Sequence, residues 1–141
     1  MSRNLVVTTV VTLIALISAG CGGGGGSGSG ISLGNAHPWC VYAEDLIRAT
    51  EAYSKVVGTE DAANSDSRDD YVSALNQVDY HMRGLDRTSR SALESLRFDA
   101  RYWLDVQDNK DSEKQADRDN YRIGKKNFDE AKDTMAKICG S

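Results

Sequence analysis

The chain has one proline, two histidines and three cysteines in 141 residues. Its scarcities exclude several chemistries. Few runs combine β-branched and aromatic residues in strand-like alternation, so a sheet is not expected. His37 and His81 fall outside any His-x-x-x-His or Glu-x-x-His spacing, the patterns that set two metal ligands on one helix face. No metal or other cofactor is therefore expected. No Gly-x-Ser-x-Gly elbow and no Cys-x-x-Cys pair is present, which removes the common serine-hydrolase and dithiol-redox arrangements. Basic residues number 17 against 21 acidic ones, for a formal net charge of −4, and the two signs are interspersed. Arg83, Arg87, Arg90, Arg97 and Arg101 cluster locally, but Asp86, Glu94 and Asp99 lie among them. That mixture reads as a solvated helix surface, not a nucleic-acid site.

Acidic residues are common enough that a carboxylate-based hydrolase remains a possible class. Asp66, Asp69 and Asp70 stand where a loop enters a helix, and the helix macrodipole accounts for negative charge there. Asp105, Asp108, Asp111 and Glu113 lack the alternate spacing and central glycine of an EF-hand loop, so they read as a solvated turn.

What is present begins with the cysteines, which divide into one plus two. Cys21 ends an apolar leader over residues 5–19, preceded by Arg3, and a glycine run follows it directly. A helix of about 15 residues spans roughly 22 Å, short of the ~30 Å hydrocarbon core, so the leader reads as a cleavable export signal over 1–20. Ser18-Ala19-Gly20-Cys21 supplies the junction. In these residues the chain resembles bacterial lipoproteins, whose lipobox cysteine receives a diacylglycerol and becomes the new N-terminus. Ala19, Gly20 and Cys21 match that motif, whereas Ser18 stands where the family usually has leucine, with Ile17 one place early. The resemblance implies lipidation at Cys21, a membrane anchor, and a folded domain on the extracytoplasmic side. The same junction also fits ordinary signal-peptide cleavage and a plain secreted protein. Cysteine parity favours the anchor, because without it an exported chain would carry an odd reactive thiol.

Residues 21–34 hold the cysteine and a Gly/Ser-rich stretch that reads as a tether. About 13 such residues reach near 20 Å by the √n rule, which keeps the domain close to the membrane. The stretch is no phosphate loop, having neither a strand before it, a helix after it, nor a Lys-Ser/Thr pair.

Residues 35–141 carry a helical period. Trp39, Tyr42, Leu46, Ala49, Tyr53 and Val56 step by three and four, with Asn35 as a cap, Pro38 in the first turn and Gly58 at the end. A second stripe runs Tyr71, Leu75, Val78, Met82, Leu85 from the Asp66-Ser67 region. A third runs Leu93, Leu96, Ala100, Trp103, with Ser91 and Glu94 spaced as a capping box; a fourth runs Tyr121, Gly124, Phe128, Ala131, Met135, Ile138, with Ser112 and Gln115 spaced likewise. The expected helices cover 37–57, 67–84, 89–107 and 112–139. Stripes three and four share one register and could form a single helix, but turn formers at 108–112 favour a break.

Cys40 and Cys139 bracket these stripes, and in an exported chain they are expected to pair. A disulfide needs Cα atoms within about 7 Å. Only an even number of up-and-down helices brings the start of the first to the end of the last. The expected fold is thus all-α, an antiparallel up-down four-helix bundle closed by Cys40–Cys139.

No catalytic constellation emerges, so the expected role is a non-catalytic binding module at the cell envelope, with an envelope protein as partner and no nucleic acid. A plasmid- or prophage-type exclusion or immunity lipoprotein is one form of that role. A carrier of a small apolar ligand is another, with Gly124, Ala49, Ala100 and Ala131 leaving room in the bundle. Tyr80, Phe98 and Tyr102 fall outside the stripes and are the candidate partner-binding residues. The alternative is a core broader than the strict stripes.

Overall fold

The computed structural model describes Leu33 and residues 37–140; the leader, Cys21, Asn35 and all but Leu33 of the tether lie outside the described residues. The described chain is all-α. Helix α1 spans Cys40–Tyr53, α2 Asp66–His81, α3 Arg87–Asp105 and α4 Gln115–Cys139. Single 3₁₀ turns occupy Ala62–Asn64, Met82–Gly84 and Gln107–Asn109 in the connections. No strand occurs among the described residues.

Helix α2 opens at Asp66, in the region expected, whereas the start of α3 is set by a side chain other than those expected. Asp86 caps α3, accepting from the Thr88 and Ser89 amides at 2.9 and 3.1 Å. Hydrogen bonds from Ser89 and Thr88 hold its carboxyl below the ordinary range. The helix therefore opens at Arg87, and Ser91 and Glu94 lie inside it. Ser65 caps α2 by accepting from the Arg68 amide at 3.3 Å, and Asp66 and Asp69 occupy the first turn. The Ser112–Gln115 box does not form. Instead Ser112 donates to Asp117 at 2.7 Å and accepts from the Lys114 amide, while Arg118 donates to the Ser112 and Glu113 carbonyls.

Helix α1 ends earlier than its apolar stripe, at Tyr53, and turns continue it to Gly58. Gly58 has φ +83°, a conformation that strains any other residue here. A Cβ at this position would also collide with Asp108, so the α1–α2 and α3–α4 connections meet at one end of the molecule.

The larger core side chains Leu46, Val78, Leu93, Leu96, Phe128 and Met135 are essentially inaccessible. Helix α1 contacts all three other helices and buries Ala43, Ile47 and Thr50 besides Leu46 and Ala49. Thr50 satisfies its hydroxyl on the Leu46 carbonyl at 2.6 Å. Against α2, Tyr42 stacks on His81 (ring centroids 3.8 Å apart) and Tyr53 on Tyr71 (5.7 Å). Against α4, Glu51 lies 2.8 Å from Lys132 Nζ, which also pairs within α4 with Asp129 at 3.2 Å, and Cys40 is bonded to Cys139 with Cα atoms 5.8 Å apart.

Helices α3 and α4 pack through Trp103 and Phe128, stacked with centroids 4.8 Å apart. The Trp103 Nε1–H is buried without a partner, a cost on the order of 1–3 kcal/mol that the surrounding burial must exceed. Gly124 permits the close approach. A Cβ there would lie 2.8 Å from a Val106 methyl and 3.4 Å from the Trp103 Cα, so the room expected at this glycine is filled by α3 itself.

Leu33 falls within the stretch 21–34 that the sequence reads as tether. It is 2% exposed and belongs to the core cluster, and its amide donates to Glu44 on α1 at 3.3 Å. Docking onto the domain is already in place at Leu33, before Pro38 and the first helix.

Candidate functional site

Helix geometry decides which way the α3 aromatics face. Leu93, Leu96, Ala100 and Trp103 point inward and are buried. At 100° per residue, Phe98 lies two steps from both Leu96 and Ala100 and projects away from the core. It is 68% exposed. Tyr102, one turn on, stacks nearly parallel to it, with centroids 6.5 Å apart and planes 9° apart. Tyr102 is partly buried because its ring lies over α4, 3.4 Å from where a Gly124 Cβ would stand. The pair expected to act alike is thus divided: Tyr102 is seated on the core and Phe98 rests on Tyr102 in solvent. Ile123, next to Gly124, is 49% exposed and adds apolar surface on the α4 side.

Tyr80, 69% exposed on α2, does not join them; its ring meets His81 edge-on at 5.0 Å. His81 is held on Tyr42, and His37 stacks on Trp39 at 5.7 Å. Among the described residues no group of three or more His, Cys, Asp or Glu side chains is placed to hold a metal ion.

Elsewhere α3 and α4 flank an open groove of about 670 Å³, whose lining includes neither Phe98 nor Tyr102. Ser91, Ser95 and Asp99 line it from α3, and Asn127, Glu130 and Thr134 from α4. These side chains are short, so the helices leave a trough between them. Burial raises the Asp99 carboxyl above its ordinary range, and Glu130 across the groove adds to the rise. Glu130 is itself 3.6 Å from Lys126. A smaller cleft of about 380 Å³ lies between α2 and α3, where Asp79 and Arg97 form an ion pair at 2.9 Å. Burial, opposed by Arg101 and aided by Asp105, pushes the Tyr71 hydroxyl there up to about 12, so it stays protonated at neutral pH.

The groove was not legible in the sequence, because serine, threonine and asparagine on a helix flank carry no periodic signal. One hint existed: Ser91, Ser95 and Asp99 recur every four residues on α3. No family model, curated protein or solved structure matches the chain. No described helix is long and apolar enough to cross a membrane.

The exposure of Phe98 has a direct consequence for stability. Phe98→Ala is expected to change the unfolding free energy by no more than about 0.5 kcal/mol, the range of surface substitutions. Urea or thermal unfolding followed by circular dichroism measures it. A loss of several kcal/mol would place the ring in the core.

Proposed function

We propose that the protein is an exported, lipid-anchored envelope protein whose helical domain is a non-catalytic interaction module, with Phe98 and Tyr102 at the centre of its partner-binding face. The observation that supports this is the exposed Phe98 ring, stacked on a Tyr102 that is itself seated on the core. A large ring fixed in solvent gives contact area to a partner at low entropic cost, and aromatic anchors in such settings dominate many interfaces. The partner is an envelope protein reached within the short span of the tether. A photo-crosslinking residue in place of Phe98 tests the reading in living cells. It should yield one discrete envelope-protein adduct, with no adduct from the same residue at exposed Lys126. Equal yields at the two positions would remove Phe98 from the interface.

The domain is read as an antiparallel up-down bundle. That topology is supported by Tyr42 meeting His81 while Tyr53 meets Tyr71, and by the bond joining the start of α1 to the end of α4. Lipidation at Cys21 supplies the anchor. Cys21→Ser is expected to release the protein from the membrane fraction or leave it as an uncleaved precursor on an immunoblot. A mature-length form still sedimenting with membrane would overturn the anchor.

One observation favours a second reading, a carboxylate hydrolase: Asp99 has a raised pKa in a groove that also holds Glu130. A carboxyl whose pKa is raised by burial near a second carboxylate is one feature of general acid–base hydrolysis. The proximity of Lys126 to Glu130 weakens it, because a cation partly neutralises the second carboxylate. The binding reading is therefore preferred.

A further inference from the structure

The outward face of α3 carries charges that the domain itself leaves unpaired. Arg87, Ser91, Glu94, Phe98, Arg101 and Asp105 recur at alternating steps of four and three, so they form one stripe on the side away from the buried Leu93–Leu96–Ala100–Trp103 face. All of them are exposed. Arg87, Glu94, Arg101 and Asp105 form no ion pair among the described residues. The charges to either side are committed or balanced. On the α2 flank, Arg90 donates to the carbonyls of Met82, Arg83 and Leu85, and Arg97 pairs with Asp79 at 2.9 Å. On the α4 flank, Asp99 lines the groove, Lys126 pairs with Glu130, and Asp133 and Lys137 are exposed with opposite signs.

From the start of α3 to its end the stripe runs positive, negative, aromatic, positive, negative. That order is complementary to its own reverse. Let a second α3 lie antiparallel, with the two Phe98 rings at the two-fold axis. At the helical rise per residue, Glu94 then stands within about 1.5 Å, along the helix, of the partner's Arg101, and Arg87 within about 6 Å of the partner's Asp105. The length of the arginine side chain spans the larger offset. Each pair occurs twice, because the same patch serves both copies. A parallel arrangement would set Glu94 on the partner's Glu94 and Arg101 on the partner's Arg101, so like charges oppose it. The ends of the stripe give a second argument. Arg87 is the first residue of α3 and Asp105 its last. The macrodipole disfavours a cation at the first position and an anion at the last. Each residue has the wrong sign for its own helix end and the right sign for the facing end of an antiparallel neighbour.

We infer that the outward face of α3 is a self-association surface, and that its occupant is a second copy of this chain docked antiparallel through Phe98. The inference rests on the reading of Phe98 as the centre of the partner-binding face, and it names the partner. Tyr102 borders the Phe98 pair from each copy, and exposed Ile123 extends the apolar strip onto α4. The contact is confined to one face of each copy, which favours a reversible monomer–dimer equilibrium over an obligate dimer. The opposed charges set the register and reject the parallel alternative.

The test is sedimentation equilibrium of the full chain, purified in a density-matched detergent. The parent should show a concentration-dependent monomer–dimer equilibrium. Glu94→Arg sets like charges against the partner's Arg101, and Arg101→Glu does the same against the partner's Glu94. Each variant alone should associate about tenfold more weakly than the parent, since both symmetry-related pairs turn from attraction to repulsion. An equimolar mixture of the two variants restores opposite signs at both contacts, so the mixture should dimerise where each variant alone stays largely monomeric. Phe98→Ala should lose dimerisation with its melting unchanged. A parent that remains monomeric throughout, or a mixture no more associated than its separate components, would overturn the inference. A photo-crosslinking residue at position 98 in living cells separates this outcome from failure of the binding face. An adduct of twice the chain's mass, containing this chain's peptides alone, is the expected product. A single adduct with a different protein would overturn the second-copy inference and leave the face standing, whereas equal yields at positions 98 and 126 would overturn both.

Discussion

Breaking the Cys40–Cys139 bond is expected to remove about 4–5 kcal/mol of stability in the chain-entropy model. The bond closes a sequence separation of 99 residues, so it constrains almost the whole domain in the unfolded state. A domain of this size has roughly 5–15 kcal/mol in total. At about 4–8 °C per kcal/mol, the midpoint of melting should fall by on the order of 20 °C. Calorimetry of the double variant Cys40→Ser, Cys139→Ser against the oxidised parent measures the loss without leaving a free thiol. The α1–α4 contact is otherwise carried in part by the Lys132 bridge to Glu51. A partly exposed ion pair adds at most about 1 kcal/mol, so it cannot replace the bond. A loss under about 1 kcal/mol would show that helix packing alone holds the two ends together.

Phe128→Ala is expected to cost about 3–5 kcal/mol, the range for emptying a buried aromatic site. The ring is 1% exposed, stacks on Trp103, and has Lys132 Nζ 5.4 Å from its centroid. Its removal would leave the indole facing a void with its N–H already unpaired. Chemical denaturation gives the loss, and the near-ultraviolet signal of Trp103 should weaken in the folded variant. Phe128→Leu keeps most of the volume and should cost closer to 1 kcal/mol. The contrast with Phe98→Ala is the informative part, because the chain has only these two phenylalanines. Similar losses at both would contradict the division between buried and solvent-facing rings.

The architecture was readable because two signals agreed. Stripes such as Leu93–Leu96–Ala100–Trp103 and Gly124–Phe128–Ala131–Met135 are buried as their period requires. In an up-and-down arrangement the pairing of Cys40 with Cys139 calls for an even number of helices, and the four helices have the break between α3 and α4 that periodicity left open. Helix starts were less legible. Asp86 competes with Ser91, and the residue that reaches free amides from an extended backbone defines the helix. That choice depends on where the preceding turn leaves the chain, and spacing alone does not encode it.

The sequence by itself determined the helical class, the four core faces, the disulfide, and the aromatics left over once those faces were assigned. Only the tertiary structure decided what became of the leftovers. Period says which side of a helix faces inward; it does not say how far a neighbour covers the flank. Gly124 lets α3 and α4 approach closely enough for Tyr102 to be seated on α4, while Phe98, one turn away, projects beyond α4's reach. Leu33 is the same lesson at the chain's entry. A lone leucine beyond a glycine run has no periodic partner in sequence, and it belongs to the core because the first turns of α1 leave a space that it fills.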